Sequence, residues 1–262
     1  MEVVIKPTQD EACRLGARLI ARIIRTRPAP VLGLATGSSP LPLYRELVRM
    51  HREEGLSFRH VTTFNLDEYV GLDPSHPGSF RSVMEEHLFR HIDLPRERAH
   101  LPDGMTTDVP GHCAEYERLI AAAGGIDLQL LGIGADGHLA FNEPGSSFRS
   151  RTRIKTLWTE TRRANAAPFG GDPDKVPRHC LTMGLGTIME ARQCLLLGFG
   201  RSKAQAVRDM IEGPVTASCP ASILQFHEHV IALIDEDAAS LLQHRDYYRE
   251  VYENKPSWQR WE

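Results

Sequence analysis

Residues 31–40 read VLGLATGSSP and lead directly into the amphipathic segment Leu41–Glu54. The first five residues are apolar or small in succession, which is typical of a short strand buried on both faces. The segment after the turn begins beside a proline and has the apolar spacing of a helix. A buried strand that passes through a turn of small residues into a helix is the building unit of an α/β fold with a parallel sheet.

The same alternation of short apolar runs and longer amphipathic segments extends over most of the chain. Ahead of the quoted strand, residues 9–25 have the pattern of a helix. Further strands are predicted at 61–66, 126–133, 194–199 and 230–234, and further helices near 79–92, 110–123 and 202–212. The sequence therefore predicts an α/β fold, a doubly wound, mostly parallel sheet with helices on both faces in a modified Rossmann-like arrangement.

A single domain is expected, because no repeat, low-complexity tract or long polar linker divides the 262 residues. One segment differs from the rest. Residues 159–178 are polar and contain two adjacent glycines and three prolines. Such a composition favours irregular, adjustable backbone, and we expect this segment to be a mobile lid beside the functional site.

Composition excludes several classes of protein. The net charge is −3, with acidic and basic residues interspersed, so no extended surface for nucleic acid or an anionic membrane is expected. No apolar run is long enough to span a bilayer, and residues 1–7 lack the apolar core of a signal peptide. A cytoplasmic protein is therefore expected. The five cysteines are scattered without C-x-x-C spacing, which predicts neither a disulfide framework nor a zinc site.

Two turns at predicted strand ends carry polar groups suited to a ligand. Gly37, Ser38 and Ser39 lie between a strand and a helix, where small residues, hydroxyls and the helix N-terminus can bind a phosphate. A plain turn with a serine N-cap is the alternative. Asp67 and Glu68 follow another predicted strand, and either carboxylate could act as a base. Carboxylates at such positions also serve as helix caps or lie solvated in loops.

The segment 131–145, LGIGADGHLAFNEPG, is the most informative for chemistry. It presents Asp136, His138 and Glu143 after a glycine-rich turn, so carboxylates could set the tautomer and the pKa of a proton-transferring imidazole. A loop histidine with a capping aspartate and a metal site formed by the three residues are the alternatives. Lys203 follows a later strand and could add a charge-assisted bond to a phosphate, or lie solvated on a helix.

Taken in this order, these segments resemble the glucosamine-6-phosphate deaminase family. The resemblance extends over nearly the whole chain and is carried by residues 32–37, 64–72, 136–144, 150–157, 181–187 and 202–204. The related phosphogluconolactonases share the fold and the Asp-Gly-His turn, but the continuation Phe141-Asn142-Glu143-Pro144 resembles the deaminases. The resemblance implies an enzyme of hydrolase and isomerase type, with no cofactor and no metal, that converts glucosamine-6-phosphate and water to fructose-6-phosphate and ammonia.

The resemblance also implies a role for each candidate residue. Asp67 would be the base that removes the C2 proton, and His138 would assist opening of the sugar ring. Asp136 and Glu143 would orient His138 and tune its pKa. The substrate phosphate would be held by four residues, Gly37, Ser38, Ser39 and Lys203. Each proton transfer of such a reaction is accelerated roughly 10²- to 10⁴-fold by a positioned acid or base.

Two departures from the family pattern affect substrate binding. Residues 165–169 read NAAPF, so the basic phosphate contact that well-known members carry in the lid is missing at Ala167. Arg162, Arg163 or Arg178 could supply that contact. Residues 216–222 also lack the His-Met-Trp run of some members. The sequence therefore leaves the preference among amino-sugar phosphates open.

An effector site is the last feature that the resemblance implies. In some hexameric members an acetylated sugar phosphate binds at positions that correspond here to Ser146, Ser147, Arg153 and Lys155. Arg153 and Lys155 alternate on a predicted strand, and a solvated strand face is the alternative for them. Monomeric members also exist, so the sequence leaves a homo-oligomer open. Two further functions stay open as well, a sugar-lactone phosphate hydrolase and a non-catalytic sugar-phosphate sensor.

Overall fold

The computed structural model describes residues 1–259, in which ten strands and eight α-helices are present. In chain order the strands β1 to β10 are Glu2–Lys6, Val31–Leu34, Thr62–Asn65, Asp67–Tyr69, Ala99–His100, Leu128–Gly132, Arg153–Thr156, His179–Thr182, Cys194–Gly198 and Val230–Asp235. The helices α1 to α8 are Gln9–Thr26, Leu41–Glu54, Phe80–His87, Val109–Ala122, Thr159–Ala164, Leu185–Met189, Ala204–Ile211 and Arg245–Glu253.

Seven strands form a parallel central sheet in the order β1-β10-β9-β6-β2-β3-β5. The five strands predicted from apolar runs are its five consecutive inner strands, β10, β9, β6, β2 and β3. These strands are almost entirely buried, and apolar residues predominate in most of them, although β3 reads TTFN and β6 contains Gln129. The predicted mostly parallel sheet is therefore confirmed.

Helices cover both faces of this sheet. α1 and α2 pack against one face, where Gly16 of α1 lies against Leu43 of α2 and Leu195 of β9. α4 packs on the opposite face, where the Tyr116 ring meets the Phe64 ring of β3 edge-on, with the ring centres 5.7 Å apart. The sheet is thus doubly wound, as the alternation of strands and helices predicts.

A second, antiparallel sheet of three strands, in the order β4-β8-β7, lies beside the first. The chain passes from one sheet to the other at Leu66. The backbone N–H of Leu66 donates to Leu34 of β2 at 3.0 Å, and its carbonyl accepts the N–H of Met183 at 2.7 Å. The strand predicted at 61–66 therefore ends early, and Asp67 is the first residue of a new strand.

The predicted helix at 79–92 is shorter in the structure. α3 ends at His87, and a 3₁₀ turn, Phe89–His91, follows it. Leu88, whose side chain is buried in the main core, leaves the helical conformation between them. Within residues 1–259, no helix combines the length and the apolar content that a membrane crossing requires.

A small hydrophobic cluster separate from the main core lies between the antiparallel sheet and residues 159–178, the lid segment. Its buried members are Tyr69, Phe80, Phe141, Leu157, Ala166, Phe169, Val176 and Cys180. The ring of Phe169 meets that of Tyr69 edge-on at 5.8 Å and stacks on that of His76 at 5.2 Å. The lid segment is therefore folded onto the second sheet in this structure, and its mobility stays a prediction.

Candidate active site

Four loops that hold candidate residues lie side by side at one edge of the central sheet. Strands β9, β6, β2 and β3 are consecutive neighbours and run parallel, so their carboxyl ends share that edge. Lys203 follows β9, the turn at 136–138 follows β6, the turn at 37–39 follows β2, and Asp67 follows β3. Ligands of open α/β sheets bind at this edge. The order of the strands therefore groups the residues that the sequence nominates from four distant segments.

The turn after β2 exposes its amide groups and turns a carbonyl inward. The carbonyl of Ala35 accepts the hydroxyl of the buried Tyr44 at 2.5 Å. The amides of Gly37, Ser38 and Ser39 donate to no acceptor within residues 1–259. Gly37 has a φ of +96°, in the left-handed region that favours glycine. Successive free N–H groups beside the N-terminus of α2 form an arrangement suited to an anion.

Lys203 ends a 3₁₀ turn, Arg201–Lys203, so the predicted helix at 202–212 begins only at Ala204. The side chain is half-buried, which argues against a fully solvated lysine. Burial lowers the pKa of its ammonium group, and the nearby carboxylate of Asp136 opposes that change. A partly desolvated cation at this edge suits charge-assisted hydrogen bonds to a phosphate.

Asp67 and Glu68 are adjacent but have different surroundings. Asp67 is buried, and its carboxylate accepts no hydrogen bond from any group in residues 1–259. Burial, together with the charge of Glu68, raises the pKa of Asp67 to about 8. The Glu68 carboxylate accepts the backbone N–H groups of Tyr69, Phe80 and Arg81 at 2.8, 3.1 and 3.0 Å and thereby caps α3. Asp67 is therefore the carboxylate that stays available to act as a base.

The turn after β6 pairs His138 with Asp136. The imidazole Nδ1 lies 2.6 Å from Oδ1 of Asp136, and the same oxygen accepts the backbone N–H of His138 at 3.2 Å. Burial would raise the pKa of Asp136, but the contacts with His138 outweigh it, and the pKa lies below its usual value. The imidazole packs against Gly134, where a Cβ atom would come within 2.2 Å of the ring. With Nδ1 at the carboxylate, Nε2 is the atom left to exchange a proton with a ligand.

Glu143 binds the start of the lid segment. Its carboxylate accepts the backbone N–H of Trp158 at 2.9 and 3.2 Å and the hydroxyl of Thr161 at 2.6 Å. The expectation that Glu143 orients His138 is therefore not met in this structure, in which Asp136 is the partner of the imidazole. The physical reason is that the free N–H groups at the start of α5 attract the carboxylate. The alternative of a metal site loses one of its three ligands for the same reason.

Two buried polar residues that the sequence did not single out connect the base to the imidazole loop. Thr182 of β8 is in register with Asp67 of β4, and its hydroxyl accepts the N–H of Phe141 at 3.1 Å. Asn142 donates its side-chain amide to the carbonyl of Met183 at 2.8 Å. Phe141 and Asn142 belong to the loop after β6, so β8 holds that loop against the strand of Asp67. The family resemblance of 136–144 and 181–187 was the only signal for them in the sequence.

The residues expected to bind an effector lie around β7. Ser146 is buried and Ser147 is exposed. Arg153 and Lys155 are half-buried on one face of β7, whereas Ile154 between them is exposed. Burial lowers the pKa of the Arg153 guanidinium. The alternative of a fully solvated strand face is therefore not what the structure shows for these two cations.

The basic contact that is missing at Ala167 is either absent altogether or supplied by one of three arginines, Arg162, Arg163 and Arg178. Arg162 donates to the carbonyl of Pro173 at 2.8 Å, and Arg163 pairs with Glu160 on the surface. The side chain of Arg178 is exposed and makes no hydrogen bond or ion pair within residues 1–259. Two of the three are thus already engaged inside the segment, and Arg178 is the remaining candidate.

Sequence comparison extends over the same features. A family model described as glucosamine-6-phosphate isomerases/6-phosphogluconolactonase matches residues 6–232. A glucosamine-6-phosphate deaminase of Arthrobacter sp. (strain FB24) is 55% identical over 259 residues, covering 99% of this chain and 99% of its own. The protein of the same name from Mycolicibacterium smegmatis is 54% identical with the same coverage. These alignments include every candidate residue from Gly37 to Lys203.

Structure comparison agrees. A solved structure of a monomeric glucosamine-6-phosphate deaminase has a TM-score of 0.90 and 46% sequence identity, covering 92% of this chain and 100% of its own. The 6-phosphogluconolactonase from Trypanosoma brucei has a TM-score of 0.73 at 23% identity, covering 91% of this chain and 97% of its own, and shows a shared fold. From the matched family model, the identity of its relatives and the shared architecture, this chain belongs to the glucosamine-6-phosphate isomerase/6-phosphogluconolactonase family.

Proposed function

We propose that this protein converts glucosamine-6-phosphate and water to fructose-6-phosphate and ammonia. This is the activity named for its relatives at 55% and 46% identity. The observation that carries the proposal is Asp67, a buried carboxylate whose pKa is raised to about 8, at the sheet edge that also holds the pair of His138 and Asp136. A carboxylate of raised basicity suits the removal of a proton from carbon.

The phosphate fixes the position of the sugar. The amides of the turn at 37–39 and the ammonium group of Lys203 bind it, since both present donors at the same sheet edge. The sugar then extends from this anchor toward Asp67 and His138. Binding energy from the phosphate is used to hold the reacting carbons against the two proton-transferring groups.

His138 acts on the cyclic form of the sugar. Because Nδ1 is held by Asp136, Nε2 exchanges a proton with the sugar as the C1 hemiacetal opens to the aldehyde. Asp67 then acts on the open chain. It removes the proton from C2, which gives a cis-enolamine, and a proton is returned to C1.

Deamination follows from the same intermediate. Protonation at C1 leaves a C1 alcohol and an imine at C2. Water adds to the imine carbon, ammonia departs, and the C2 carbonyl of fructose-6-phosphate remains. The lactone hydrolase that was the alternative activates water at a carbonyl and has no step for a carbon base, so Asp67 separates the two reactions.

Asp67→Asn is the decisive variant. The substitution keeps the size of the side chain and removes the base, so we expect kcat for ammonia release to fall by roughly 10²-fold or more. Ammonia is measured in a coupled assay with glucosamine-6-phosphate as the substrate. Asp246→Asn, at an exposed carboxylate of α8, is the matched control and should keep full activity. Ammonia release by Asp67→Asn at the wild-type rate, or no release by the wild type, would contradict the proposal.

We further propose that the lid segment closes over the bound sugar and that Arg178 gives the basic contact missing at Ala167. The packing of Phe169 on Tyr69 supports a closed position, and the unpaired state of Arg178 within residues 1–259 supports its role. Arg178→Ala should raise KM, and unchanged KM would remove this residue from the site.

Effector binding at Ser146, Ser147, Arg153 and Lys155 and assembly into a homo-oligomer stay proposals. The half-burial of the two cations on one strand face supports an anion site, while the solved relative at 46% identity is described as monomeric. Light scattering in the presence and absence of an acetylated amino-sugar phosphate tests both. The cytoplasmic location expected from the sequence also stays a prediction.

A further inference from the structure

Two buried tyrosines hold the ends of neighbouring strands at the edge of the candidate site. Tyr44 of α2 donates its hydroxyl to the carbonyl of Ala35, directly after β2, at 2.5 Å. Tyr116 of α4 donates to the carbonyl of Asn65, the last residue of β3, at 2.7 Å. Both side chains are fully buried and come from opposite faces of the sheet. The first bond lies just before the phosphate-binding turn, and the second lies two residues before Asp67.

The bond from Tyr44 fixes the direction of the amide that follows. In a planar trans peptide the C=O and the next N–H point in opposite directions. Because the Ala35 carbonyl is turned toward α2, the N–H of Thr36 faces away from it. The same holds three peptides later. There the carbonyl of Ser38 accepts the N–H of Leu41 at 3.4 Å, so the amide of Ser39 points away from α2.

α1 contributes to the same arrangement. The side-chain amide of Gln9 donates to the carbonyl of Ser39 at 3.3 Å, and the thiol of Cys13 lies 3.6 Å from that oxygen. Two helices therefore bind carbonyls at the two ends of the turn. Because Pro40 follows Ser39 and has no N–H, the bond from Gln9 fixes the end of the turn and not the direction of an amide. The turn includes Gly37, whose freedom of φ would allow the peptide planes to rotate if these bonds were lost.

We propose that Tyr44, assisted by Gln9, is a positioning residue that keeps the amides of the turn at 36–39 facing the phosphate of the substrate. The inference rests on the proposed function only in requiring that this turn bind a phosphate. The Tyr44 hydroxyl is buried and bound to the backbone carbonyl of Ala35, so it acts on the substrate only through the turn. Its loss should weaken phosphate binding and leave the chemical steps unchanged.

Tyr44→Phe tests the proposal with two readouts. KM for glucosamine-6-phosphate and Kd for inorganic phosphate, measured by titration calorimetry, should both rise roughly 3- to 10-fold, the effect of one lost hydrogen bond. The value of kcat should stay within about twofold, because only uniform binding is removed. Unchanged KM and Kd, or a fall in kcat alone, would overturn the proposal.

Tyr116→Phe is the matched variant. It removes the same kind of buried hydrogen bond from the neighbouring strand, so a similar loss of Tm is expected, but Kd for inorganic phosphate should stay at the wild-type value. An equal rise of Kd in both variants would mark a general loss of stability and overturn the role of Tyr44. If Tyr44→Phe does not fold, Gln9→Ala, at a half-exposed residue, must raise KM and Kd for the proposal to stand.

The outcomes separate this inference from the reaction. If the wild type binds inorganic phosphate more tightly than Tyr44→Phe does but releases no ammonia, the deaminase function is refuted and the positioning role is supported. A wild type that releases ammonia, together with an unaltered KM in Tyr44→Phe, would refute the positioning role alone.

Discussion

Asp67 and Glu68 differ because neighbouring residues of a strand face opposite sides of a sheet. Glu68 faces the start of α3 and is bound by three amides, whereas Asp67 faces the side on which Thr182 lies and accepts no such bonds within residues 1–259. One carboxylate thus stabilises a helix, and the other keeps an unsatisfied and therefore more basic oxygen. The negative charge of Glu68 adds to the basicity of Asp67.

The dependence of activity on pH should report this pair. Because Asp67 must be ionised to act as a base, kcat/KM should rise with pH on an acidic limb near the raised pKa of about 8. Tyr116 and Cys180 also lie within electrostatic range of Asp67, but burial raises the pKa of both groups well above the working range, so they stay neutral. Glu68→Gln should therefore move the limb to lower pH. A limb that stays in place, with Tm checked as a control for folding, would show that Glu68 has no influence on the base.

At this scale the sequence nominated residues that the structure brings to one edge of the sheet, but it did not predict their hydrogen-bond partners. Asp67, His138 and Lys203 could be found because each follows an apolar run at a strand end. The bonds of Glu143 to Trp158 and Thr161 could not be foreseen, since they join residues that meet only when α5 is folded onto the second sheet.

At the scale of elements, Glu143 connects the imidazole loop to the lid segment. Glu143→Gln removes the charge from this link, and hydrogen bonds to a charged group are worth about 1.5 to 3 kcal/mol. We expect amide exchange at Trp158–Thr161, followed by mass spectrometry, to become roughly 10- to 100-fold faster. Glu160→Gln, at an exposed carboxylate paired with Arg163, is the control and should leave exchange at Trp158 unchanged. Equal exchange in the two variants would show that Glu143 does not secure the lid segment.

The sequence predicts best the strands that are buried on both faces and the helices that bury one apolar face. β2, β9 and β10 of the central sheet are apolar along almost their whole length, and α1 and α2 each bury an apolar stripe. β4 and β7 read DEY and RIKT, so both strands are short and charged. Both pair with β8, and the residues of β4 are more than 100 positions away in sequence from their partners in β8. Only the strand at Arg153 and Lys155 was predicted for this sheet. The existence of β4 and β8 depends on tertiary pairing that no local pattern encodes.

At the scale of the whole molecule, the buried base should lower stability. Since the pKa of Asp67 is raised in the folded state, the folded protein holds a proton that the unfolded chain has released between about pH 4 and pH 8. The stabilising contribution of the protonated Asp67 is therefore present at low pH and is lost as pH rises through that range. Asp67→Asn cannot ionise and so avoids this loss. The variant should therefore exceed the wild type in Tm by more at pH 8.5 than at pH 5, with roughly 2 to 4 °C for each kcal/mol of unfolding free energy. A gain independent of pH in calorimetric melting curves would contradict the assignment.

Because the chain passes between the two sheets at Leu66, the candidate site residues are distributed over both sheets. The loops that we propose to bind the phosphate follow strands of the large sheet, while Asp67, which we propose as the base, lies on a strand of the small one. On that proposal, changes confined to the three-strand sheet alter the reaction while the phosphate-binding loops of the large sheet are retained. The shared architecture of deaminases and lactonases is what such modular evolution would leave behind.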